Sequence, residues 1–261
     1  MLPQFKVTSE LKWSKEYLHL ITSLLPNLTV ALAPPTITCY RHLLFLDRLN
    51  YLQNGGLLGG FRSADTVRAL VYQRFRVSPP ATLSALVLHR SGSRAWKSQY
   101  QIMQLIRRIA LRFNATVRHS DLVGYDLQKQ VLLFSQSDVV IATHGAALTN
   151  VMFMRPHTAV VECFPPYFYE LTFETICGLE QVLYISVPDF PRQALYAEAV
   201  KYYRQGSFYQ KRRKFIDAAV FPPPSQLYDA VVRAFEFVTR WRGSFRVTDQ
   251  WSESSSWLFM G

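Results

Sequence analysis

The sequence predicts an α/β protein built on a doubly wound parallel sheet, and three observations predict it. Five short apolar runs alternate with helical patterns across residues 83–187. One continuous stretch, SDVVIATHGAALTNVMFMRPHTAVVECFP, reads as strand, tight turn, helix and strand. Its apolar run Val139–Ala142 is unbroken, as expected of a strand buried on both faces. Prolines at Pro79–Pro80 and Pro222–Pro224 bracket the regular region.

In chain order, Leu11, Leu18, Ile21 and Leu25 share one helical face behind a Ser9 cap, which predicts a helix over 10–25 stopped by Pro26. Strands are expected at 28–33 and 42–46, the second ending at Asp47, before a glycine-rich loop at 54–60 that lacks phosphate-loop spacing. Ser63 is read as the cap of a helix carrying Val67, Leu70, Val71 and Phe75 inward. Beyond the prolines come strand 83–88, helix 97–113, strand 115–118, helix 127–136, strand 139–142, helix 146–154, strand 159–162, helix 167–177 and strand 181–187. Helices over 193–203 and 226–241 and a polar Ser-rich tail complete the chain. The domains expected are a partial N-terminal domain over 1–78, a C-terminal ligand-binding domain over 79–224, and a helix with tail over 225–261.

At 261 residues and 49% hydrophobic the chain can bury a full core. A net charge of +11 makes the surface attractive to anions, although the densest basic run, KRRK at 211–214, reads as a solvated loop face. No zinc finger, basic zipper or RNP motif is present, so nucleic acid is not the expected partner. No stretch reaches the roughly 18 to 20 apolar residues of a membrane span. Three cysteines, Cys39, Cys163 and Cys177, allow at most one disulfide and read as buried thiols. Asn27 and Asn114 begin N-glycosylation sequons. The six histidines form no HxH or HxxxH pair and no DxD occurs, so no metal site is expected.

Ligands of doubly wound sheets bind beyond the carboxyl ends of the strands. Three groups fall there: His89, Arg90 and Arg94 in LHRSGSRAW, His144 and Gly145 in HGAALTN, and Glu162 closing the next strand. Guanidinium groups grip phosphate with paired hydrogen bonds, and a helix N-terminus behind small residues accepts an anion. A strand-end carboxylate suits ribose hydroxyls. Taken singly, the arginines also read as solvated cations, His144 as a cap and Glu162 as a surface terminus. Their convergence on one rim favours a nucleotide diphosphate.

These residues carry a resemblance. The HGA-x-LTN turn-helix followed by an apolar strand ending in Glu and Phe-Pro resembles glycosyltransferase family 61, and LHRSGSRAW is similar to that family's arginine segment. The resemblance implies a GT-B-like fold of two Rossmann-like domains, the first incomplete here because upstream strands and a membrane anchor would precede it. It implies inverting transfer of a sugar from a nucleotide sugar, UDP-linked, to a glycan or protein hydroxyl. No cofactor or metal is then required, and the setting is the Golgi or endoplasmic-reticulum lumen. By motif matching, Arg90, Arg94, His144, Gly145, Ala146 and Ala147 would face the diphosphate and Glu162 the ribose. Ala147 departs from the glycine more usual there, and AWKSQYQ after Arg94 departs from the family's Asn-Glu-rich helix start. The general base is unassigned, with Asp47 its candidate in the first domain. A non-catalytic glycan- or nucleotide-binding remnant of the same fold is the alternative.

Overall fold

Residues 4–7, 29–32, 61–166, 168–189 and 217–244 are described by the computed structural model. The expected helices at 10–25 and 193–203, the strand at 42–46, the 54–60 loop, Asp47, Asn27, Cys39, the basic run and the polar tail lie outside them. Two short strands pair in parallel near the N-terminus, β1 (Gln4–Val7) with β2 (Thr29–Leu32). The second matches the expected strand at 28–33, whereas β1 lies outside the expected strands although Gln4–Val7 alternates polar and apolar residues.

The centre is a five-stranded parallel sheet in the order β4-β3-β5-β6-β7, with β3 Ser84–Leu88, β4 Thr116–Ser120, β5 Val139–Thr143, β6 Ala159–Cys163 and β7 Leu183–Val187. All five strands expected from the apolar runs are present. The continuous runs mark the three central strands, which are buried at every position because helices cover both faces. Leu86 pairs with Val140, Val140 with Val160 and Val160 with Tyr184.

One face packs against helices α2 (Gln99–Arg112) and α5 (Pro224–Ser244), where Ile106, Ile109, Val231 and Phe235 meet Val87, Ile141 and Val161. The other face holds α1 (Phe61–Phe75), α3 (Leu127–Ser135), a 3-10 helix (Ala146–Phe153) and α4 (Thr172–Leu179), with Val71, Phe134, Leu148 and Phe173 against Leu86, Val140 and Val160. Because α1 already runs at Phe61, Ser63 lies within the helix and does not cap it. This helix precedes the proline pair, yet it packs into the sheet's second face, and Tyr72 donates its hydroxyl to the Phe153 carbonyl at 2.7 Å.

At 146–154 the expected helix is a 3-10 helix. It is short, and Asn150 Nδ2 donates to the Ala147 carbonyl at 3.1 Å, a side-chain competitor for backbone bonding within the helix. At the opposite end of the sheet, Asp138 ties strand starts together: Ser84 N donates to Oδ2 at 2.8 Å and Arg155 Nη2 to Oδ1 at 2.7 Å. Helix α3 begins on Asp126, whose Oδ1 accepts from Lys129 N at 2.8 Å. Asp126→Ala should therefore cost about 1 kcal/mol in urea denaturation, with no change in slope.

Candidate functional site

The loops after β3 and β5 leave neighbouring strands toward opposite faces, since α2 covers one face and the 3-10 helix the other. Such a switch point opens a crevice at the carboxyl edge of the sheet. Arg90 and Arg94 enter it from the β3 side, and His144, Gly145 and Ala146 from the β5 side.

The arginine loop is clamped at both ends. His89 N bonds the Ser120 carbonyl at 3.0 Å, and buried Trp96 donates Nε1 to the Leu88 carbonyl at 3.0 Å. Trp96 also bridges to Val220, with Lys97 N on the Val220 carbonyl at 3.0 Å and Val220 N on the Ala95 carbonyl at 2.9 Å. Held this way, the half-buried Arg90 lays its guanidinium over Gly145, where a β-carbon would collide with Nη1. Gly145 is extended, with φ 166 and ψ 166, so the need for glycine here is space for Arg90 and not backbone strain. Arg94 adopts φ 59 and lies within electrostatic reach of Arg90; burial, then the Arg90 charge, pull its pKa below the ordinary arginine value, while Asp217 acts the other way. Among the described residues Arg90 meets no carboxylate within ion-pair distance.

Beside this pair the 3-10 helix opens. Leu148 N returns to the Gly145 carbonyl at 2.9 Å, whereas the N–H groups of Ala146 and Ala147 meet no backbone carbonyl among the described residues. Ala146 is exposed, and Ala147 is half-buried against the second core. Asn150 secures the helix to α3 through Gln130 Oε1 at 2.9 Å. Three polar atoms on this rim, His89 Nδ1, Arg94 Nε and Thr143 Oγ1, are buried without a hydrogen-bond partner among the described residues. Buried polar groups are normally satisfied, so these three atoms are exceptions gathered beside the arginine loop and the end of β5.

His144 is pinned beneath the rim at 5% exposure, its ring stacked on Phe164 at 5.4 Å and flanked by Phe168 and Phe173 at 4.9 and 5.4 Å. Its Nδ1 lies 2.6 Å from Glu162 Oε1, and Tyr184 donates its hydroxyl to Glu162 Oε2 at 2.5 Å. Glu162 is wholly buried, so the carboxylate expected to face the ribose has both oxygens committed below the rim. Burial pushes its pKa up, and the bonds from His144 and Tyr184 oppose that rise. Burial and then the Glu162 charge push the Tyr184 phenol well above its usual range, which keeps it a donor. On the outer side of the imidazole, Glu170 Oε2 stands 3.8 Å from His144 Nε2.

The structure thus brings Arg90, Arg94, His144, Gly145 and Ala146 to one crevice, sets Ala147 at its wall and Glu162 beneath it. Sequence reasoning missed Trp96, Asn150, Glu170 and Tyr184. The aromatic density of FPPYFYELTF was a usable signal for the ring cage around His144. Tyr184 had none, because it reaches Glu162 from the next strand of the sheet. A groove of 440 Å³ between α2 and the start of α5, lined by Tyr100, Gln104, Arg108, Phe221 and Leu227 among others, holds none of the rim cations. Cys163 and Cys177 are buried free thiols, their pKa values raised by burial and then by Glu162. Among the described residues no group of three or more metal-ligating side chains converges, and no helix is long and apolar enough to cross a membrane.

The sequence profile of glycosyltransferase 61 matches residues 17–161, more than half of the chain. The chain belongs to glycosyltransferase family 61. The family 61 match includes Arg90, Arg94 and the HGAALTN turn and stops one residue before Glu162, so Glu162, Glu170 and Tyr184 stand outside it. No match was found among curated proteins. Three solved structures are similar over part of the chain. A diflavin flavoprotein A3 from Nostoc sp. is 15% identical with a TM-score of 0.33, covering 63% of this chain and 97% of that one. A flavodoxin, WrbA-like protein from Agrobacterium tumefaciens is 8% identical with a TM-score of 0.33, covering 62% and 99%. A flavodoxin-like domain from Synechococcus sp. is 14% identical with a TM-score of 0.28, covering 63% and 100%.

Proposed function

We propose that this family 61 chain transfers a sugar from a UDP-linked donor to a hydroxyl of a glycan or protein, with inversion at the anomeric carbon. The observation that carries the reading is the Arg90 guanidinium over Gly145, beside Arg94 and the first N–H groups of the 3-10 helix. Two cations of like sign in one crevice repel each other until an anion joins them, and a diphosphate offers oxygens to both. In the transfer, the acceptor oxygen bonds to the anomeric carbon, the bond from that carbon to the phosphate oxygen breaks, and its electron pair stays on the diphosphate. Arg90, Arg94 and His144 stabilise that charge, which makes the leaving step independent of a metal. The hydroxyl proton goes to a base contributed from the acceptor side, for which Asp47 remains the candidate.

The same reading places the protein in the Golgi or endoplasmic-reticulum lumen as a glycoprotein, with a second Rossmann-like domain of GT-B type facing the sheet. Asn114 suits glycan attachment, being exposed in the turn between α2 and β4.

Titration calorimetry with UDP tests the donor site. Binding is expected, with Arg90→Ala and His144→Ala each weakening it about tenfold. A folded protein that gives no heat with UDP, or variants with unchanged affinity, would refute the assignment. UDP binding with no turnover across donor sugars would make the chain a non-catalytic nucleotide-binding remnant.

A further inference from the structure

His144 is the most constrained polar side chain of the rim, and its constraints are asymmetric. Its Nδ1 faces a buried carboxylate at 2.6 Å whose other oxygen already accepts the Tyr184 hydroxyl at 2.5 Å. Both interactions are inside hydrogen-bond range, and Glu162 is 0% exposed, so this nitrogen has no route to a ligand. The three phenylalanine rings around the imidazole prevent it from turning to exchange its nitrogens. Nε2 is therefore the only nitrogen of the ring that can serve the crevice.

The group already beside Nε2 is an anion. Glu170 belongs to the segment between β6 and α4, its side chain is 29% exposed, and its Oε2 lies 3.8 Å from Nε2, while Oε1 accepts the Thr172 hydroxyl at 2.9 Å. At 3.8 Å the contact is too long for a hydrogen bond, and it is an ion pair in the doubly protonated form of the ring, with Nδ1–H on Glu162 and Nε2–H toward Glu170. A carboxylate and a phosphate cannot share one imidazole nitrogen without strong repulsion, so one must leave when the other arrives. The partly exposed Glu170 is the group able to leave, whereas Glu162 is sealed in.

We propose that Glu162 and Tyr184 are positioning residues that make Nε2 the working nitrogen of His144, and that the Glu170 carboxylate holds this nitrogen until a phosphate oxygen of the donor displaces it. This rests on the donor reading given above. Glu170 acts as a built-in competitor for the donor, and the two buried partners act on it only through the imidazole.

Calorimetry with UDP on Glu170→Gln, Tyr184→Phe and Glu162→Gln, each alone and combined with His144→Ala, tests the proposal. Glu170→Gln should bind UDP about threefold more tightly. Tyr184→Phe should bind it about threefold more weakly and Glu162→Gln about tenfold more weakly. With His144 replaced, each change should have less than about a twofold effect, because residues acting through one group are not additive. Additive losses, or weaker binding by Glu170→Gln, overturn the proposal. Imidazole nitrogen NMR of the ligand-free protein supplies a readout independent of UDP. The hydrogen-bonded Nδ1 proton of His144 should shift in Tyr184→Phe and in Glu162→Gln, and the Nε2 resonance should move in Glu170→Gln. Unmoved resonances overturn the positioning roles even if UDP binds. Perturbed resonances without any UDP binding would instead reject the donor reading and the exchange at Glu170 together, leaving the locked imidazole established. Should Glu162→Gln fail to fold, the milder Tyr184→Phe decides alone.

Discussion

Arg68→Ala is expected to lower the unfolding free energy by about 3 to 5 kcal/mol near neutral pH, the usual cost of leaving one member of a buried ion pair behind. Arg68 projects from α1 with its side chain 7% exposed and pairs with Glu180, whose side chain is 0% exposed, as well as with the outer Asp65. It fastens α1 to the end of α4 across the second core. Glu180 Oε1 has no partner among the described residues, so the carboxylate depends on Arg68 for compensation.

Burial raises the Glu180 pKa from 4.5 to about 7, with Arg68 acting as the main restraint on that rise. A carboxyl group whose folded pKa lies above its unfolded one binds more protons in the native state. Its contribution to stability is fully present below the unfolded pKa and is lost as pH climbs through about 7. Without Arg68 the folded pKa rises further. The defect of Arg68→Ala should therefore be largest in urea denaturation at about pH 8 and shrink at about pH 5, where Glu180 is neutral. Adding Glu180→Gln should recover part of the loss at the higher pH. Equal losses at both pH values would show that packing, and not the buried charge, dominates this contact.

The second large effect is on the ligand. Gly145→Ala should weaken UDP binding about thirtyfold, more than removal of Arg90 alone, because the added carbon expels the guanidinium and also crowds the approach to the Ala146 N–H. The fold should tolerate the change. The backbone at 145 is extended and open to alanine, and the colliding atom is the far end of a flexible side chain. A melting temperature within a few degrees of wild type, together with the binding loss, is the expected pair of results. In an Arg90→Ala background the same substitution should lose much of its effect. Wild-type affinity in Gly145→Ala would mean that Arg90 does not hold the diphosphate.

How much of this was legible beforehand depends on the range of the interaction. The five strands of the sheet are written in local patterns: Val139–Ala142 and Ala159–Val161 are apolar at every position because both faces of a central parallel strand are covered. The turn after β5 was legible for the same reason, since small residues between a strand and a helical segment form a local signal. Local preference failed at 146–153, where the helical period is real but Asn150 turns back on the Ala147 carbonyl and the segment is a 3-10 helix. It failed also at Ser63, a good cap that lies inside an established helix.

The sequence by itself determined the doubly wound sheet, the rim to which Arg90, Arg94, His144 and Gly145 belong, and, through HGAALTN and the arginine segment, membership of family 61. Each follows from residues close together in the chain and from periods that burial imposes on them. Only the tertiary structure decided what the polar side chains do to one another. That Arg90 covers Gly145 depends on a loop clamped by Trp96 and Val220, 124 positions apart in sequence. That Glu162 holds His144 depends on the β5-β6-β7 register, which sets Glu162 between His144 and Tyr184 and seals it from solvent. Burial and partner geometry are properties of the packed sheet, and a strand-end glutamate reads the same in sequence whether it faces water or lies beneath an imidazole.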